Sequence, residues 1–145
     1  MSRIKRIVIA LSAVVLTGCL APENVLMTRV NMHRWDSFEC VTYENSDTLS
    51  QRTLNIAVRY NSDYKPNKLQ MMVVVTTPDA RYFEEEVSLN LNHPQRSISV
   101  TTTESLPYRD SVVLAQKGAY KFYFAPLSEV RGIEAIGIDF REISE

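Results

Sequence analysis

Strict alternation of apolar and polar residues constrains this chain more than any other feature. Leu54, Ile56, Val58 and Tyr60 alternate with Thr53, Asn55, Ala57 and Arg59. A repeat of two puts one set on each face of a strand, which is the pattern of a half-buried β-strand. Ile136, Ile138 and Phe140 repeat it near the end of the chain, against Gly137, Asp139 and Arg141. Gly118 opens a third such run, in which Tyr120, Phe122 and Phe124 share one face, and Pro126 closes it because it has no amide to donate to a ladder. Leu69 to Val75 is apolar on both faces and reads as a central strand covered on both sides. Pro78-Asp79 makes a turn after it, and 81–91 reads as a longer strand in which Glu85 interrupts the apolar face. Ile98 and Val100 suggest a Ser/Thr-rich strand, and Leu127 to Arg131 suggests one helical turn ended by Gly132. Long helical periodicity is absent beyond residue 20. Roughly seven to nine strands with one-sided apolar faces predict an all-β antiparallel sandwich, jelly-roll or immunoglobulin-like, since two such sheets must bury their faces against each other.

The first twenty residues follow another logic. Arg3, Lys5 and Arg6 precede a short apolar core, Ile7 to Val15, and Leu16-Thr17-Gly18-Cys19 follows. The apolar run is short for a bilayer span of roughly 20 residues. The run 16–19 resembles the lipobox of bacterial lipoproteins. That resemblance implies a signal peptide over 1–18, thioether lipidation of Cys19, cleavage between Gly18 and Cys19, and acylation such as palmitate on the new amine. Residues 19–28 then form the lipidated cysteine and a short tether, and 29–145 a single β-sandwich domain. The expected location is the cell envelope, on the inner or outer membrane and facing the periplasm.

Removing 1–18 takes three of the 16 basic residues and none of the 17 acidic ones, leaving a net charge of −4. That balance argues against nucleic acid, which needs clustered Lys and Arg. With Cys19 lipidated, Cys40 stands alone and reads as a small buried hydrophobe. His33 and His93 lack any zinc-ligand spacing, and adjacent strand carboxylates Glu84, Glu85 and Glu86 point to opposite faces and cannot converge on calcium. No nucleophile elbow, phosphate loop or dinucleotide fingerprint occurs. No metal, cofactor or catalytic activity is expected.

Two stretches resemble the gliding-motility lipoprotein GldH family of Bacteroidota. One is 58–69, with Arg59, Asn61, Tyr64, Asn67 and Leu69 in the family's spacing and Lys68 as one extra residue. The other is Gly118-Ala119-Tyr120 followed by Gly132-Ile133 and the last Gly-hydrophobic strand at Gly137. Trp35 resembles the single tryptophan near the family's first strand. Family members carry a Trp/Gly-rich segment before the last strands, whereas 101–110 here has neither residue. The resemblance implies an accessory lipoprotein of the gliding-motility and secretion apparatus, acting without catalysis on an envelope protein partner. The candidate binding residues are Asn61, Asp63, Tyr64 and Asn67, a dense loop-like cluster, together with Trp35, whose polar neighbours suggest a rim or partner interface. The rival reading is a carbohydrate- or peptide-binding lipoprotein in nutrient capture, which calls for exposed aromatics around Tyr64 or Tyr82.

Overall fold

A computed structural model describes residues 24–94 and 101–143, so Met1 to Gly18, Cys19 and the pair Ile98 and Val100 lie outside the described residues. Among the described residues eight strands follow in chain order: β1 Val25–Arg29, β2 Glu39–Asn45, β3 Gln51–Asn61, β4 Lys68–Thr76, β5 Tyr82–Asn90, β6 Thr101–Val113, β7 Gly118–Pro126 and β8 Ile133–Glu142. They form two four-stranded sheets, β1-β8-β3-β6 (sheet I) and β2-β7-β4-β5 (sheet II). Every pairing is antiparallel. The pairs β1·β8, β2·β7, β3·β6 and β4·β5 nest one inside the next, which is the connectivity of a jelly roll rather than of an immunoglobulin domain.

Alternation supplies the core. Leu54, Ile56, Val58 and Tyr60 of β3, Ile136, Ile138 and Phe140 of β8, and Tyr120, Phe122 and Phe124 of β7 all belong to one buried cluster between the sheets. Register keeps them in layers: Ile56 pairs with Ile138 and Val58 with Ile136. Gly137 lets the first strand approach. A Cβ there would stand 1.8 Å from the carbonyl oxygen of Leu26, so only glycine lets β1 lie against β8.

Four expectations are corrected. β4 is covered on one face only: Leu69, Met71 and Val73 are buried against sheet I, while Met72 and Val74 remain half exposed on the outside. Cys40 is half-buried on that same outer side rather than in the core. No helical turn forms after β7; Val130 instead pairs with Trp35 in a one-residue bridge. β1 begins at Val25, inside the stretch read as tether. Glu85 does lie on the inward side of β5, but the β4–β5 register runs through it unbroken.

The strand directions give the sandwich two ends. At one end β1 begins, and the connections 46–50, 77–81 and 114–117 cluster there; because the chain arrives here from the cysteine expected to carry lipid, it is called the anchor end. At the far end lie 30–38, 62–67 and 127–132.

Candidate functional site

The residues singled out in the sequence gather at the far end, where they knit loops together. Asn61 ends β3 and makes a turn: its side-chain oxygen accepts from the Asp63 amide at 2.9 Å, and its carbonyl accepts from the Tyr64 amide at 3.2 Å. Asn61 N donates to the carbonyl of Gly132 at 2.9 Å. Gly132 has φ +96°, and a Cβ on it would stand 2.3 Å from the Tyr64 nitrogen. The two family-like stretches therefore meet each other, and both the left-handed backbone and the close approach require that glycine.

Tyr64 is buried and donates its hydroxyl to the Lys68 carbonyl at 2.5 Å. Burial pushes its phenol up. Its ring is closed to a sugar, so the stacking role expected of it has no exposed face to work with. Trp35 is 1% exposed, pairs by backbone with Val130 in both directions at 3.0 Å, and donates Nε1 to the Ser37 carbonyl at 2.7 Å. It lies in the core and not at a rim, because its neighbours turn outward while its own side chain turns in. Asp63 is exposed beside Arg131, at 3.8 Å, and Asn67 is exposed with its carbonyl accepting from Leu91 N. Asp63 and Tyr64 border a shallow groove of about 530 Å³ against Glu129, Val130 and Arg131; Asn61, Asn67 and Trp35 do not line it.

The outer faces of the two sheets differ sharply. On sheet I the outward side chains bond to one another: Arg59 with Thr103 (3.2 Å), Ser105 with Asp139 (2.6 Å), Arg141 with Asp139 (3.0 Å) and Thr101 with Glu134 (2.9 Å). On sheet II, Cys40, Tyr123, Val74 and Glu84 stand in one row across the strands, and Ala125, Met72 and Glu86 in the next. Phe38 shares the parity of Cys40 just before β2 and is exposed. The middle of this face is apolar, and its β5 edge is acidic. Apolar patches on a surface of this kind mark interaction sites. Their signal was the doubly apolar run of β4, which reads equally as a covered strand.

At the anchor end the sheets part between β6 and the β4–β5 edge. The cleft is about 500 Å³ and is lined by Leu54, Val75, Val112, Leu114, Tyr120 and Phe122, with Phe83 at its mouth. Glu85 stands at one side, accepting from the Tyr108 hydroxyl at 2.5 Å and paired with Arg109. Burial raises the Glu85 carboxyl, but the bonds from Tyr108 and Arg109 outweigh it and hold it below its ordinary value. Burial and the same bond push the Tyr108 phenol up, so that hydroxyl stays a donor.

Deeper at this end, Arg52 is buried. It donates to the Tyr43 hydroxyl at 2.8 Å and to Asn45 Oδ1 at 3.2 Å, and lies over the Tyr43 ring at 5.4 Å. Asn45 in turn donates to the carbonyls of Leu114 and Gln116. This cluster ties β2, β3 and the 114–117 connection together and holds one wall of the cleft.

A comparison with curated proteins finds no match. A comparison with family models matches the GldH lipoprotein model over residues 27–140. That span takes in all but the first two residues of β1 and the last two of β8, so the match covers the sandwich as a unit. With its eight-stranded sandwich and the two meeting stretches at the far end, the chain belongs to the GldH lipoprotein family.

Proposed function

We propose that this protein is held at the envelope by lipid on Cys19, faces the periplasm, and works by binding as an accessory of the gliding-motility and secretion machinery. The partner surface in this reading is the outer face of sheet II around Tyr123. One observation carries it: that face keeps an apolar centre in water, while the equivalent face of sheet I satisfies its polar side chains internally. Glu84 and Glu86 along β5 select a partner whose apolar patch has a basic rim. A lipid anchor confines the domain to two dimensions and raises the effective concentration of membrane-bound partners. The mechanism calls for no catalysis, and family membership supports the envelope setting.

The test is capture of the lipidated protein from its own envelope after crosslinking. The reading expects subunits of the motility or secretion apparatus with the native chain, and their loss with Tyr123→Lys or Met72→Lys. Equal recovery with both variants would remove sheet II from consideration.

A further inference from the structure

The cleft at the anchor end is a formed cavity that the partner reading does not use. Its volume of about 500 Å³ lies within the roughly 300–1,000 Å³ of small-molecule sites. Its walls are apolar side chains from both sheets. Its polar neighbours are partly exposed, and several pair with one another: Glu85 with Tyr108 and Arg109, Arg81 with Asp79, and Gln116 Oε1 with the Asp79 amide. Among the described residues no buried side-chain nitrogen or oxygen lacks a partner. A sugar carries hydroxyls around its whole ring, and those turned toward the apolar walls would lose water without gaining a partner, which is penalised on burial. The chemistry asks for a ligand without hydrogen-bonding groups in its buried part.

The position of the cleft says where such a ligand comes from. The carbonyl of Asn24 accepts from Phe140 N, so the chain departs from the anchor end. Cys19 lies five residue steps before Asn24, and a fully extended chain of that length reaches at most about 18 Å. Sheet I is four strands wide, so β1 and β6 lie about 14 Å apart. The anchor can reach the cleft, and the anchor end cannot leave the bilayer surface. That end also exposes apolar side chains: Leu49 is 86% exposed and Phe83 61%, with Tyr82, Val113 and Ile143 exposed as well.

We infer that the cleft between the sheets at the anchor end is a fatty-acyl site, which takes one lipid chain past Phe83 into the apolar space beneath. This rests on the anchored reading above for the supply of lipid, and on the cleft itself for the ligand class. The chain comes either from the surrounding bilayer or from the protein's own anchor.

The experiment uses mature protein purified from its native envelope and placed in phosphatidylethanolamine and phosphatidylglycerol vesicles. These contain a phospholipid with a diazirine near the end of one acyl chain. After irradiation, peptide mapping is expected to place adducts on Val112, Leu114 or Tyr120. Val112→Trp, which fills the cleft, abolishes them, and Phe83→Ser at the exposed mouth reduces them while leaving the fold intact by circular dichroism. In a second arm, protein from cells fed a diazirine fatty acid is irradiated. A crosslink between the Cys19 peptide and a cleft peptide assigns the site to the protein's own lipid and equally supports it. Adducts confined to Leu49 and Tyr82, or unchanged in both variants, overturn the inference. Intact mass reads lipidation separately: a chain without acyl mass refutes the anchored reading, and the vesicle arm still tests the cleft.

Discussion

Replacing Trp35 with alanine separates a core role from a partner role. Trp35 is 1% exposed and donates Nε1 to the Ser37 carbonyl at 2.7 Å. An indole of this kind buries roughly 200 Å². At about 25 cal/mol per Å² that is about 5 kcal/mol as an upper bound. The hydrogen bond adds about 1 kcal/mol. Alanine keeps the Cβ and the surroundings relax in part, so the expected loss is about 3–5 kcal/mol, as for other buried aromatics. Domains have about 5–15 kcal/mol in total, so the variant is marginal. Its Tm should fall by roughly 12–20 °C. Far-UV circular dichroism on heating measures this, and in the native protein the emission of this single tryptophan follows the same transition. Tyr123→Ala is the control: half exposed on sheet II, it should cost about 1 kcal/mol or less. A Trp35→Ala protein that melts with the native one yet no longer captures a partner would refute the burial argument.

Three further outcomes follow from the same geometry. Gly137→Ala would drive its Cβ into the Leu26 backbone and should destabilise by about 3 kcal/mol or more in denaturant titration, with β1 losing amide protection first. Tyr64→Phe leaves the Lys68 carbonyl without its donor and should cost about 1–3 kcal/mol in the same titration while leaving partner capture unchanged. Asp47 is held at about 2, below its ordinary 3.8, first by the Ser50 hydroxyl and amide, then by the Leu49 amide and the charge of Arg52. Its contribution is therefore complete above about pH 4 and disappears as pH falls through 2. The acid-unfolding curve of Asp47→Ala should be flatter than the native one across that window.

Much of the fold was legible because alternation is a local signal. β3, β7 and β8 carry it plainly, and their apolar faces are the core. β6 was not legible: over Thr101 to Asp110 only Leu106 and Tyr108 pack on the core, because it is an edge strand whose outward side chains bond to neighbours on β3 and β8. β1 has five residues, too few to establish a period. Trp35 and Tyr64 sit in connections among polar residues, which pointed to the surface. Their burial depends on loops far apart in sequence, joined through Val130 and Gly132. The apolar face of sheet II was hidden for the opposite reason: Met72 and Val74 look like core in sequence, and only the layer count reveals that no third layer among the described residues covers them. The cleft belongs to neither pattern, since its walls come from both sheets and exist only once the sandwich closes.

The central claim is that sheet II, and not sheet I, meets a protein of the envelope machinery. A photoreactive amino acid placed at Tyr123 in one strain and at Arg59 in another tests it directly in intact cells. The account predicts a discrete crosslink from position 123 to a motility or secretion subunit and none from position 59. Crosslinks from position 59 alone, or from neither position, would contradict it.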